Sequence, residues 1–150
     1  RAEIYLQIKE DSRAIADLDT GLSIDPKNTT LTVAKAKALY YSRNTKKAMT
    51  LLRELLAERP DVAEANFFLA RMHLASRQTG PAIKYFELSL KHAARDFKDA
   101  YEAHSSLIHL YKERNQKRKA CDHMKRYLRT APKSVTDRED VADDIRMNCR

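Results

Sequence analysis

The residues of this chain whose types could do chemistry are five histidines, two cysteines, a serine pair and a late group of carboxylates. A helical metal pair needs two histidines four residues apart on one face. His104 and His109 are five apart and face different sides of a helix, and Cys121 with His123 is equally badly spaced. Ser105-Ser106 lies in a helical pattern, without the strand-turn-helix setting that exposes a nucleophile. Gly21 and Gly80 are the two glycines, too few for a phosphate-cradling loop. Asp140, Asp143 and Asp144 have no loop glycine among them and read as a charged helix, not a calcium loop. The expectation is therefore a protein with no catalytic residues, no metal site and no cofactor.

Composition points the same way. With 43% hydrophobic and 33% charged residues in 150, the chain can bury one core and stay soluble. Two glycines and four prolines are too few for a loop-rich or all-β protein, and Ala, Leu, Lys, Arg and Glu favour helix. No window approaches 18 uninterrupted apolar residues, so membrane insertion of this segment is not expected. The chain opens at Arg1 inside a repeating unit, and a piece of a longer protein is expected. Cys121 falls at an apolar helical position and reads as a small buried hydrophobe, with Cys149 free near the end. Free thiols lean towards a reducing, cytoplasmic compartment.

The elements that must position these residues recur. Ala48, Leu52, Leu55 and Pro60 repeat the skeleton Ala14, Leu18, Gly21 and Pro26 after 34 residues. Ala82, Phe86 and Ser89 repeat it after another 34, and Ala120, Met124, Tyr127 and Pro132 after 38. Such a period specifies stacked helix pairs, because one pair cannot bury its apolar face alone. The first helix of the first copy is expected to break at Asp11-Ser12, with Ser12 capping the next. Leu31 to Ser42 is a helix, Thr45 caps the following one, and Asp61 caps the third copy. A longer connection is expected around Ala94 to Lys98. Thr136 to Asn148 reads as a charged terminal helix with Val141, Ile145 and Met147 on its apolar stripe.

With this register in place, the chain resembles the tetratricopeptide repeat (TPR) family. The closest local match is Ala14 through Asn28, and Tyr5 and Tyr111 take the family's aromatic slot. Thr32, Asn66 and His104 stand in its tryptophan slot, and Ala2, Ala36, Ala70 and Ile108 in its glycine slot. The resemblance implies an all-α fold: an α-solenoid, a right-handed superhelix of antiparallel helix pairs. Its repeats would cover about 1–28 (truncated at the start), 29–62, 63–96 and 101–134, with 135–150 a capping helix and tail.

The resemblance also implies a concave groove lined by first helices, where Glu3 and Gln7, then Val33, Lys37 and Tyr41, then Phe67, Arg71 and Leu74, then Ser105, His109 and Lys112 would meet a partner peptide. Tyr41 and Phe67 would be apolar anchors, with Lys37, Arg71 and Lys112 holding acidic groups or carbonyls. The lysine and asparagine set that holds a C-terminal carboxylate in some TPR proteins is absent: Val33, Lys37, Phe67 and Phe68 stand in its places. The expected function is a non-catalytic scaffold or adaptor that binds another protein.

A second reading comes from charge. The net charge is +8, and Lys112 to Lys133 carries nine cations against two acids before the sign reverses in the tail. The patch Lys117, Arg118, Lys119, Lys125, Arg126 and Arg129 could bind RNA, DNA or an acidic partner. It lacks interleaved aromatics for base stacking, and the acidic tail could instead pack beside it and neutralise part of it. Self-association through the exposed seam of the truncated first repeat is a third possibility.

Overall fold

The computed structural model describes the backbone of residues 2–149 and the side chains of residues 10–149. Its elements are α1 (Ala2–Ile24), α2 (Thr29–Tyr41), α3 (Thr45–Glu58), α4 (Ala63–Ala75), α5 (Thr79–His92), α6 (Ala100–Glu113), α7 (Lys117–Thr130) and α8 (Arg138–Asn148), with no strand among the described residues. Each helix packs on the next in sequence, and α2 also touches α4.

Punctuation explains most boundaries. The residue before a proline is pushed out of the α region, so α1 stops before Asp25-Pro26, α3 before Arg59-Pro60 and α7 before Ala131-Pro132. Asn28 caps α2 by accepting the Leu31 N–H at 3.0 Å. Inside the pairs α2–α3, α4–α5 and α6–α7, the turn rests on one left-handed residue: Arg43, Arg77 or Asn115, with φ of 65, 58 and 55°. In each turn the next N–H reaches back five residues, Asn44 to Leu39, Gln78 to His73 and Gln116 to Tyr111, at 2.8–2.9 Å. This is the cap that normally recruits glycine; two arginines and an asparagine adopt it here.

Three local expectations need correction. Helix α1 runs unbroken through Asp11-Ser12. Neither glycine nor proline interrupts it there, and each further helical residue adds a hydrogen bond. Its Ala14 is consequently exposed instead of lying at a helix crossing. Thr45 is already the first residue of α3, with Asn44 before it. Val62, not Asp61, precedes α4, and Asp61 pairs with Arg59 at 3.1 Å. The long connection, by contrast, is present: residues 93–99 separate α5 from α6.

The core follows the small-and-large skeleton. Ala48 and Leu52, Ala82, Phe86 and Ser89, and Ala120, Met124 and Tyr127 are all buried. Alanines at crossings let axes approach to about 8–10 Å, and the large residue one turn away fills the space alongside. Gly21 serves the same end, since a Cβ there would lie 3.0 Å from Leu31 Cδ1.

The cysteines overturn their sequence reading. Cys121 and Cys149 form a disulfide with Cα atoms 5.7 Å apart. Helix α8 folds back along α7, so the chain end returns to the middle of α7; a spacing of 28 gives no local sign of this. The lean towards a cytoplasmic setting loses its premise. Val141 and Ile145 pack on the core while Met147 stays exposed. Arg138 donates to the Leu128 and Ala131 carbonyls, and Lys112 pairs with Asp144. No described helix is long and apolar enough to cross a membrane.

Candidate functional site

Lys37 on α2 and Arg71 on α4 stand one repeat apart, at the same place in their helices. Lys37 Nζ lies 4.7 Å from the Phe68 ring centroid and 3.4 Å from Glu64 Oε1. The Arg71 guanidinium sits 5.8 Å from the centroids of both Phe67 and Phe68. Each cation–π contact contributes about 0.5–1 kcal/mol when partly exposed, enough to lay both side chains along one aromatic shelf. Phe67 carries this shelf from beneath, edge-on to Phe68, Phe86 and Phe97 at 5.4–6.1 Å.

Acids complete the site. Asp99, just before α6, has its carboxyl raised above the ordinary range by burial first, then by the charges of Glu102 and Glu64; Lys37 and Arg71 act against that rise. Tyr101 donates to Glu102 at 3.2 Å. The face shared by α2, α4 and the start of α6 therefore alternates cations and carboxylates over aromatic rings. Beside it, Asp99, Tyr101, Glu102 and Arg129 line a pocket of about 580 Å³. Such a surface can accept the hydrogen-bonding backbone and mixed charges of a peptide. No group of three or more His, Cys, Asp or Glu among the described residues is arranged to hold a metal ion.

The structure sorts the expected groove residues. Lys37, Arg71 and the half-buried Leu74 lie on α2 and α4 with polar atoms or edges accessible. Val33 and Phe67 are core residues, 2% and 1% exposed, and cannot serve as surface anchors. A large apolar residue at a position facing both neighbouring helices is worth more inside, about 1.5–3 kcal/mol on full burial. Tyr41 is 57% exposed, tilted against Tyr40 at 5.5 Å. Ser105 and His109 are exposed on α6, where His109 pairs with Glu113 at 3.2 Å. Lys112 is taken by Asp144 of α8. Glu3 and Gln7 lie outside the residues whose side chains are described. The six cations of the basic patch, Lys117, Arg118, Lys119, Lys125, Arg126 and Arg129, are all exposed on α7.

Sequence reasoning passed over Glu64, Asp99 and Glu102, and named Phe68 only as a departure from the carboxylate-holding set. One signal was present: Glu64 and Glu102 are 38 apart, the same shift that relates Ala82 to Ala120. It also missed a buried polar cluster between α5, α6 and α7. His104 Nδ1 and His123 Nδ1 meet at 2.9 Å, and His123 Nε2 meets Glu87 Oε1 at 3.0 Å. Tyr111 donates to the same Glu87 oxygen at 2.8 Å and stacks on His123. Because a carboxylate only accepts, His123 carries its proton on Nε2, its Nδ1 accepts, and His104 Nδ1–H donates; this tautomer is assigned from the network. Burial first, then the neighbouring His123 and the Arg126 charge, hold His104 down to about 4 against the pull of Glu87. Donation by His123, and secondarily by Tyr111, lowers Glu87 despite its partial burial. Burial and the bond to Glu87 push the Tyr111 hydroxyl up to about 12. Every member of this cluster has a partner, and both histidines are buried, so it packs the helices and does not face a ligand.

No protein-family model matches the chain. Among curated proteins, anaphase-promoting complex subunit 3 of Schizosaccharomyces pombe is 29% identical over 86 residues, which is 57% of this chain and 13% of that protein. The chain thus spans a small part of that relative's length. By its name, the relative is a subunit of a complex.

Proposed function

We propose that the chain is a TPR-type helical repeat segment with no chemistry of its own, which binds a segment of another protein along the face of α2, α4 and α6. In this reading the helix pairs form a right-handed superhelix and that face is its concave side. The observation that carries it is the pair Lys37 and Arg71, held at equivalent places over one Phe67–Phe68 shelf and interleaved with Glu64, Asp99 and Glu102. The left-handed turn residues at 43, 77 and 115 support the repeat register. The resemblance to a protein named as a complex subunit supports a role in protein assembly.

The test begins with peptides selected from a random library against the whole chain. Chemical-shift mapping of the selected peptides should perturb α2, α4 and α6. Lys37→Ala with Arg71→Ala should weaken binding at least about tenfold, the loss typical of an interface anchor, with helical circular dichroism unchanged. Peptides that map to α3, α5 and α7 instead, or that bind the double variant as well as the parent, would sink the reading.

A further inference from the structure

Helix α7 turns Ala120, His123, Met124 and Tyr127 into the core. At about 100° per residue, Arg118, Lys125 and Arg129 fall together on the opposite side of the helix. Lys119 and Arg126 form a second row beside them, nearer Tyr111 and Glu87: Lys119 Nζ lies 5.2 Å over the Tyr111 ring, and the Arg126 charge helps to lower Glu87. Arg118 with Lys125, and Lys119 with Arg126, are each seven residues apart. Seven residues nearly complete two turns, so each couple lies on one line about 10.5 Å apart.

The acids of the tail pair away from this face. Asp144 pairs with Lys112, Asp143 with Arg146, and Asp137 accepts from Tyr127. Asp122 is the one acid on α7 and falls between the two rows, one turn from Arg118 and from Arg126, leaving the face with a large excess of cations. Among the described residues, none of the six α7 cations is in an ion pair, so packing of the acidic tail does not account for the basic face.

The chemistry of the face selects among polyanions. Single-stranded nucleic acid needs exposed rings for stacking, but Tyr127 is buried in the core and Tyr111 is buried beneath Lys119. Insertion into a membrane needs apolar side chains, and the large exposed ones, Ile24, Tyr41 and Met147, all lie off α7, so a membrane would be held by charge alone. A helix whose carboxylates recur every seven residues repeats its charge at the same spacing as these cations. We propose that the outer face of α7 docks an acidic helix of a partner protein, with carboxylates at seven-residue spacing opposite Arg118 and Lys125, and Arg129 one turn beyond them. Arg129 also borders the pocket beside the α2–α4–α6 face, but the proposal rests on the row of α7 cations and not on the function proposed for that face.

Two synthetic helical peptides of identical composition test it: one with glutamates at seven-residue spacing along one side, the other with the same glutamates spread round the helix. Each is titrated into the whole chain at about 50 mM salt, where surface charge is weakly screened. The in-register peptide should bind at least about fivefold more tightly, as two or three exposed ion pairs allow. Arg118→Gln with Lys125→Gln and Arg129→Gln should erase that preference with unchanged circular dichroism, and Lys125→Gln alone should reduce it. Lys37→Ala with Arg71→Ala should leave it intact, which separates this proposal from the reading of the inner face. Equal binding of the two peptides, or no binding, overturns the proposal. So does tighter binding of a DNA duplex of about 20 base pairs or of phosphatidylserine vesicles, the outcome for a phosphate-reading surface. Self-association that the triple variant abolishes would also overturn it, by making the occupant a second copy of the chain.

Discussion

The pairs α4–α5 and α6–α7 place the same ring stack at the same point of the repeat, with the residues exchanged. His73 on α4 stacks on Tyr85 of α5 at 5.5 Å, and Tyr111 on α6 stacks on His123 of α7 at 5.6 Å. Both positions shift by 38 residues, and in α2–α3 they hold Leu39 and Leu51. The slot thus accepts any flat or branched bulk, and what differs is how its polar atoms are satisfied. In α4–α5 the neutral side chain of Gln78 meets His73 Nδ1 at 2.6 Å. In α6–α7 the carboxylate of Glu87, reaching over from α5, serves both Tyr111 and His123, and His104 extends the chain of bonds. One stack rests on local partners and the other depends on ionisation and on the preceding helix pair. The slot that holds His104 holds Asn66 in the third copy, which satisfies itself on the Pro60 and Val62 carbonyls.

The largest test removes the residue that joins the two regions. Phe67 meets Phe86 of α5 and Phe97 of the connection to α6. Phe67→Ala should lower stability by about 3–5 kcal/mol in urea denaturation, as expected for a buried aromatic. If the two stacks form one cooperative unit, near-ultraviolet signals from both should be lost together; separate transitions would break the comparison into independent halves.

Acid should next distinguish the two stacks. His104 titrates near 4 in the folded chain against an ordinary 6.5, so the unfolded chain binds more protons between those values. Stability should therefore fall as pH drops from about 6.5 towards 4, by about 2 kcal/mol. Glu87 acts in the same direction: its lowered value contributes stability above the ordinary carboxyl range, lost as pH falls through the folded value. His104→Asn, which installs the residue found at the α4 position, should flatten the profile over this window in pH-dependent denaturation. An equally steep profile in that variant would place the sensitivity elsewhere.

The smallest difference lies in the two tyrosine hydroxyls. Tyr111→Phe removes the donor to Glu87 and should cost about 1.5 kcal/mol, the low end for a bond to a charged group. The Tyr85 hydroxyl has no hydrogen bond among the described residues, and Tyr85→Phe should leave the melting temperature nearly unchanged. Equal costs for the two variants would show that the stacks are stabilised alike.

Helix existence and most helix ends were legible because their causes are local. Prolines at 26, 60 and 132 and the spacing of Ala48, Ala82 and Ala120 act within one or two turns. The unbroken α1 was misread because Asp11-Ser12 has cap-forming residues but nothing that ends a helix. In the candidate site, Lys37 and Arg71 could be assigned to a shared face from their register, whereas Val33 and Phe67 could not be assigned to surface or core. An apolar residue on the first helix of a pair reads the same in sequence whether it turns to the surface or to the core.

By itself, then, the sequence determined an all-helical chain, its period and the run of cations on α7, since helix propensity, small residues at crossings and charge are properties of residues and short spacings. Tertiary structure alone decided that Cys121 meets Cys149, that His104, His123 and Glu87 share one buried network, and that the acidic tail pairs with Lys112 and leaves the α7 cations bare. Those contacts join residues 19 to 36 positions apart, and their partners are set by how one helix pair leans on the next. No local pattern encodes that angle; it emerges when the apolar faces close against each other.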